Sequence, residues 1–144
     1  MSEHQRLLSD AALTAFHLNG QFLALADELA RSAGLTATRW QVLGAVLDTP
    51  RTVSDIARVM GITRQSVQRT ADILVDDGLV AYSDNPAHRR AKLVVATDVG
   101  RASVEAITPG HRAAADRLTA MLGAEQWESI IDGMHALSRA LDSL

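Results

Sequence analysis

The sequence predicts a mainly α-helical fold with a small two- to three-stranded β-wing, and three observations support this fold class. Residues 52–92 have the pattern of two short helices joined by a tight turn and followed by a β-hairpin tipped with arginines. Long helical segments flank this stretch. This is the pattern of a winged helix-turn-helix, residues 35–97, between N- and C-terminal dimerisation helices in residues 1–34 and 98–144.

Two helices are predicted ahead of the central motif. The first spans residues 7–31, ends near Gly34, and carries apolar rows of Leu8, Ala15, Leu18, Phe22, Leu25 and Leu29. The second begins at a Thr36 cap and runs to about Asp48, because Pro50 cannot continue a helix.

The first helix of the central motif is predicted from its cap and its apolar residues. Thr52 can form a capping box with Asp55, in which each side chain satisfies a free backbone amide. Ile56 and Val59 are expected to face the core. The turn that follows uses Gly61.

The second helix, residues 63–76, begins at a Thr63 cap and has two distinct faces. Its apolar stripe consists of Val67, Ala71 and Leu74. Its polar face consists of Thr63, Arg64, Gln65, Ser66, Gln68 and Arg69. The two arginines can bind guanine edges or phosphates, and the two glutamines can offer paired donors and acceptors to adenine. The hydroxyl residues lie where a helix start can bind a phosphate.

A cationic hairpin is predicted after this helix. Residues 79–83 and 93–97 are short β-prone runs, and the loop between them begins with an Asn85-Pro86 turn. The cations of the loop are Arg89, Arg90 and Lys92. Either feature alone is common on solvated surfaces, but a polar helix face and a cationic hairpin at this spacing together predict contact with double-stranded DNA.

The charge distribution agrees with this interpretation. The chain carries a net charge of −3, yet residues 51–92 hold seven Arg and Lys against five Asp, a net +2. The remainder holds seven against twelve, a net −5. The positive charge therefore lies where the motif lies, as expected for binding to phosphates.

Other functional classes find little support. The chain has no cysteine, and its five histidines show no metal-binding spacing, so we predict no metal and no cofactor. No nucleophile elbow or phosphate-binding glycine loop occurs, so we predict no enzyme. Without a long apolar run the chain is expected to have no contact with membranes and to be cytoplasmic.

The C-terminal part is predicted to contain two more helices. The first is capped by Thr97, kinked at Pro109-Gly110 and ends near Leu122. The last begins near Gly123 and carries a stripe of Trp127, Ile130, Met134, Leu137, Leu141 and Leu144. Such a stripe can be buried within its own chain, but terminal helices around a small domain favour a seam between two copies.

The sequence resembles the MarR family of transcriptional regulators over nearly its full length. The wing segment NPAHRRAKLVVATDVG is similar to the family pattern, which matches Asn85, Pro86, Arg89, Arg90, Thr97 and Gly100. The stretch LTATRWQVL and the helix-turn-helix also match. Two positions depart: Ala96 replaces a common leucine, and His88 replaces an aspartate that usually braces the wing arginine.

The resemblance implies a homodimer that binds a palindromic operator as a ligand-responsive repressor. Residues 63–76 would enter a major groove, and Arg90 and Arg89 of the wing would enter the adjacent minor groove. Family members often respond to small aromatic or phenolic effectors bound between the dimer helices and the winged domain. The corresponding crevice would be lined by His17, Gln21, Trp40 and His111.

A rival class is a winged helix that serves as a protein-interaction or RNA-binding module without operator recognition. Exposure of Arg64, Gln65, Gln68 and Arg69, and their spacing across a dimer, would distinguish the two classes.

Overall fold

The computed structural model describes all 144 residues. It contains six α-helices, one short 3-10 helix and a small antiparallel sheet, which confirms the predicted fold class. The helices are α1 (Glu3–Ala30), α2 (Ala37–Gly44), α3 (Val53–Met60), α4 (Arg64–Asp76), α5 (Asp98–Leu122) and α6 (Ala124–Asp142). The strands are β1 (Arg51–Thr52), β2 (Val80–Ser83) and β3 (Leu93–Ala96). The chain divides into two compact units, Met1–Ile107 and Thr108–Leu144, and α5 continues from the first into the second.

Helix α1 begins at Glu3 rather than at residue 7, because Ser2 and Gln5 form a capping box. The Ser2 hydroxyl accepts the Gln5 amide at 3.1 Å, and the Gln5 side chain accepts the Ser2 amide at 2.7 Å. The Thr36 cap of α2 is confirmed. Helix α2 ends at Gly44 rather than near Asp48, since the chain tightens there into turns that bury Val46.

The core of the first unit is built around α3 and α4. The predicted stripe of α4 is fully buried, as is Ile56 of α3. The prediction for Val59 was wrong, because its side chain is 63% exposed. Helix α3 buries or partly buries Val53, Ile56, Ala57 and Met60, a spacing that defines one helix face, and Val59 lies outside that face.

At the start of α3, one of the two hydrogen bonds of the predicted capping box is formed. The Thr52 hydroxyl accepts the Asp55 amide at 3.1 Å, but the Asp55 carboxylate pairs with Arg58 one turn later. Gly61 ends the helix with φ of 67°, a left-handed conformation that glycine adopts without strain. The turn therefore leads directly to the Thr63 cap of α4, whose hydroxyl accepts the Ser66 amide at 3.1 Å.

The sheet has the strand order β1-β3-β2, so β3 is central. Val94 of β3 pairs with Arg51 on one side and with Tyr82 on the other. The third strand, β1, is two residues long and joins the start of α3 to the hairpin. This register places Tyr82 beside α4 and connects both strands of the hairpin to the first unit's core.

The start of α5 packs closely on the end of the helix-turn-helix. The Thr97 amide donates to the Leu79 carbonyl at 3.1 Å, and the Thr97 hydroxyl donates to the Gly78 carbonyl at 2.7 Å. The same hydroxyl accepts the Gly100 amide at 3.1 Å, which confirms the predicted cap. A Cβ atom at Gly100 would overlap the Leu79 carbonyl oxygen and lie 3.2 Å from Leu43 Cδ1. Glycine is therefore required there by the close approach of two backbones.

Helix α5 runs from Asp98 to Leu122 with Pro109 inside it. Proline removes one backbone hydrogen bond, and the turns on both sides keep the remaining ones. In the second unit, α6 begins after Gly123 and its predicted apolar stripe faces solvent in the single chain. Ile130, Met134, Leu137 and Leu141 are 37% to 51% exposed. No helix has the length and the apolar composition that crossing a bilayer requires.

Candidate nucleic-acid interface

The first half of α4 and the wing form the two walls of an open groove of about 670 Å³. Four of the eight predicted DNA-binding residues line it, namely Arg64, Gln65, Gln68 and Arg90. Thr52, Ser54, Tyr82 and Lys92 also line it, although the sequence prediction did not assign them to the site. The other predicted DNA-binding residues lie outside the groove lining: Thr63, Ser66, Arg69 and Arg89.

The position of each predicted reader follows from the local structure. The Thr63 hydroxyl accepts the Ser66 amide, so its own proton remains available to a phosphate oxygen. Arg64 and Gln65 occupy the first turn of α4, where backbone amides are not yet used by the helix. Arg64, Gln65, Gln68 and Arg69 are all exposed, which meets the first condition that separates DNA binding from the rival class.

The cations of this surface are not neutralised within the chain. Arg64, Arg69, Arg89, Arg90 and Lys92 are exposed and make no ion pair with a carboxylate. The ion pair between Arg58 and Asp55 lies on α3 and involves none of these cations. Because these exposed cations have no internal ion pair that must first be broken, their side chains can bind phosphates directly.

The tip of the wing is shaped by Asn85. Its side-chain oxygen accepts the Ala87 amide at 3.1 Å, and its carbonyl accepts the His88 amide at 3.2 Å. His88 is exposed, and no carboxylate pairs with Arg90, in agreement with the loss of the aspartate brace at this position.

A polar network joins α4 to β2 on the wall of the groove. The Gln68 amide nitrogen donates to the Asp72 carboxylate at 3.0 Å and to the Tyr82 hydroxyl at 2.9 Å. The Tyr82 hydroxyl donates to the same carboxylate oxygen. Gln68 therefore does not present the free donor and acceptor pair that its position in the sequence predicted. The sequence indicates the contact between Gln68 and Asp72, since these residues lie one helical turn apart, but it does not indicate the contact with Tyr82.

This network changes the titration of Tyr82. Burial, followed by the hydrogen bond and the charge of Asp72, raises the pKa of Tyr82 from 10.0 to about 12. A raised pKa means that the neutral phenol stabilises the fold fully below pH 10, and this contribution is lost as the pH rises through about 12.

We expect a spectrophotometric titration to show this shift directly, because the chain has one tyrosine. The tyrosinate absorbance of the folded protein should have its midpoint near pH 12, against about 10 in denaturant. Asp72→Ala should move the folded midpoint down towards 10, whereas Asp76→Ala should move it little, since Asp76 makes the weakest contribution. A folded midpoint of 10 would contradict the network.

The four residues expected to bind an effector lie on α1, α2 and α5. His17 and Gln21 are exposed on α1, while Trp40 of α2 is half-buried and packs against the core. His111 belongs to the second unit. No group of three His, Asp or Glu side chains has the arrangement of a metal site.

Comparison with known proteins agrees with the fold. Residues 33–91 match the sequence profile of the MarR family. An uncharacterized protein of Mycobacterium tuberculosis is 42% identical over 106 residues, which cover 74% of this chain and 71% of that protein. The transcriptional activatory protein BadR of Rhodopseudomonas palustris is 30% identical over 116 residues, 77% of this chain and 65% of that protein.

Among solved structures, the Mycobacterium tuberculosis transcriptional regulator MosR in complex with DNA superimposes with a TM-score of 0.77 at 26% identity. The match covers 92% of this chain and 96% of that chain. We conclude from the winged-helix fold, the cationic groove and these relatives that the protein is a DNA-binding transcriptional regulator. Residues 33–91 of the chain belong to the MarR family by sequence, and the whole chain has the fold of a solved MarR-family regulator.

Proposed function

We propose that the protein is a ligand-responsive repressor that binds a palindromic operator as a homodimer. The observation that carries this proposal is the groove between α4 and the wing, whose cations have no partner within the chain. In this proposal α4 enters the major groove, and Arg90 and Arg89 enter the adjacent minor groove. The contacting residues are Thr63, Arg64, Gln65, Ser66, Gln68, Arg69, Arg89 and Arg90.

The homodimer is supported by the exposed apolar stripe of α6. Single exposed apolar residues are common, but a continuous row along one helix face is typical of an interaction surface. Helix α1 also exposes Leu13 and Phe16, which are 67% and 73% accessible. A two-fold dimer presents two equivalent α4 helices, so the operator half-sites would lie one helical turn, roughly 34 Å, apart.

Repression and ligand response are the finer parts of the proposal. A dimer that covers an operator within a promoter excludes the polymerase. An effector that favours another dimer geometry would release the dimer from the operator. The effector class is a small aromatic or phenolic molecule, bound near His17, Gln21, Trp40 and His111. Because BadR is named an activator, a reporter gene under the native promoter must be measured with and without the protein: activation would overturn repression.

The test of operator recognition is selection of DNA fragments from the source genome and from a randomised duplex library. We expect a two-fold symmetric consensus with half-sites one turn apart. The same protein should bind duplex RNA far more weakly, because the deep and narrow major groove of RNA does not admit a helix. Selection without a consensus, or preference for RNA, would favour the rival winged-helix module.

The wing makes a separate prediction about electrostatics. Arg90→Ala should weaken binding to all duplexes and flatten the dependence of log K on log salt by about one unit, because one phosphate contact is lost. Arg101→Ala, which removes an exposed arginine from α5 outside the groove, is the matched control and should leave the slope unchanged. Equal slopes for Arg90→Ala and the unmodified protein, from fluorescence anisotropy at several salt concentrations, would exclude the wing from the interface.

A further inference from the structure

The side chain of Gln68 is held in one orientation by its two neighbours. Its Nε2 atom lies 3.0 Å from Asp72 Oδ1 and 2.9 Å from the Tyr82 hydroxyl. Tyr82 and Gln68 both line the groove, so this arrangement lies on the surface offered to DNA. Asp72 is exposed one turn further along α4, and Tyr82 reaches the pair from β2.

The chemistry of the three groups determines which end of the amide faces inwards. A carboxylate only accepts hydrogen bonds, so Asp72 takes one from the Tyr82 hydroxyl and one from the Gln68 amide nitrogen. The tyrosine oxygen in turn accepts from the same nitrogen. A flipped amide would place its oxygen against the carboxylate, which is repulsive. The Gln68 oxygen therefore faces away from both neighbours and has no partner within the chain.

A free glutamine binds adenine with two bonds, one from the N6 amino group and one to N7. A glutamine whose nitrogen is already occupied can only accept. In the major groove, adenine N6 and cytosine N4 offer the exocyclic amino groups that such an acceptor needs, while thymine and guanine present acceptors. The orientation of Gln68 thus changes the base chemistry that this position selects.

We propose that Tyr82 and Asp72 are positioning residues that make Gln68 a one-sided reader, which accepts a hydrogen bond from an exocyclic amino group of adenine or cytosine. This inference rests on the proposed operator recognition. The Tyr82 hydroxyl is protonated across the physiological range, because even the ordinary pKa of tyrosine, 10.0, lies well above it. The network also joins the wing strand to the reading helix, so the wing position influences what the helix reads.

The first test uses modified operators and the unmodified protein. The position read by Gln68 is the symmetric pair at which Gln68→Ala relaxes the selected consensus. If adenine stands there, replacing it with the unsubstituted purine base, which lacks the 6-amino group, should lower affinity about 5- to 100-fold. Replacing it with 7-deazaadenine, which lacks the N7 acceptor, should leave affinity within about twofold. If cytosine stands there, 2-pyrimidinone should cause the larger loss. A large loss with 7-deazaadenine would overturn the proposal.

The second test releases the amide. Tyr82→Phe keeps the ring in its place against the core but removes the hydroxyl, and Tyr82→Phe with Asp72→Ala removes both partners. Both variants should select adenine more strongly over cytosine, and both should become sensitive to 7-deazaadenine. Asp76→Ala removes the same charge from the same helix without touching Gln68, and its selected consensus should equal that of the unmodified protein.

The outcomes separate this inference from the function on which it rests. If the unmodified protein selects a consensus and Tyr82→Phe returns the same bases with the same analogue sensitivity, Tyr82 is not a positioning residue. If the unmodified protein selects no consensus, operator recognition itself is wrong. Should the double variant fail to fold, the analogue measurements on the unmodified protein and on Tyr82→Phe still decide the question.

Discussion

Replacing Leu137 and Leu141 with aspartate is expected to give monomers that bind operator DNA about 10²- to 10⁴-fold more weakly. Both residues belong to the exposed stripe of α6, where they are 43% and 51% accessible in the single chain. Two carboxylates in an apolar seam have no partner and prevent association, because burying an unpaired charge costs more than the seam contributes. Each subunit would then bind one half-site alone and lose the gain from simultaneous engagement.

The matched control places the same charges elsewhere on α6. His135→Asp with Ala136→Asp adds two aspartates at exposed positions outside the stripe. This variant should remain dimeric in analytical ultracentrifugation and should keep most of its DNA affinity. If the unmodified protein is itself a stable monomer at micromolar concentration, the seam is not a dimer interface and the exposed stripe needs another partner.

Replacing Gly100 with alanine is expected to lower the free energy of unfolding by about 1–3 kcal/mol. The added methyl group would overlap the carbonyl oxygen of Leu79 and lie 3.0 Å from its carbon. Because these are backbone atoms between α4 and β2, they cannot move aside as a flexible side chain can, and the start of α5 must shift. The same shift would strain the two hydrogen bonds that Thr97 donates to Gly78 and Leu79.

The control for this prediction is Gly44→Ala. Gly44 lies at the exposed end of α2, and a Cβ atom there would meet nothing within 4 Å. Its replacement should be neutral or slightly stabilising, because alanine favours helix more than glycine does. Urea denaturation of both variants decides the matter: equal midpoints would show that the junction at Gly100 is not closely packed.

The sequence predicted best those features that depend on a few neighbouring residues. The caps at Thr36, Thr63 and Thr97 need only a hydroxyl and an amide two or three positions away, and all three are present. The cap at Ser2 obeys the same rule with Gln5, so the true start of α1 was available from the sequence and was overlooked. The shared polar face of Arg64, Gln65, Gln68 and Arg69 could be predicted because one helix sets their mutual positions, and all four are exposed.

Features that depend on distant segments could not be predicted in the same way. Tyr82 reaches Gln68 only through the packing of β2 beside α4, and no periodicity within either segment indicates this contact. Val59 shows the converse error, since an apolar residue three positions after Ile56 suggested burial while the actual face used Ala57 and Met60. Exposure is decided by which neighbours reach a helix face, and a single segment does not contain that information.

The unpaired cations of the wing also have a consequence for the thermodynamics of binding. Arg89, Arg90 and Lys92 are free to sample many rotamers, because no internal hydrogen bond or ion pair restrains them. Ordering each on DNA costs about 0.5–1.5 kcal/mol of side-chain conformational entropy. A braced wing loses this entropy during folding, whereas this wing would lose it on contact with DNA. In the proposed complex the wing would therefore gain affinity chiefly from released counterions rather than from preorganisation, and its contribution to binding would fall steeply as the salt concentration rises.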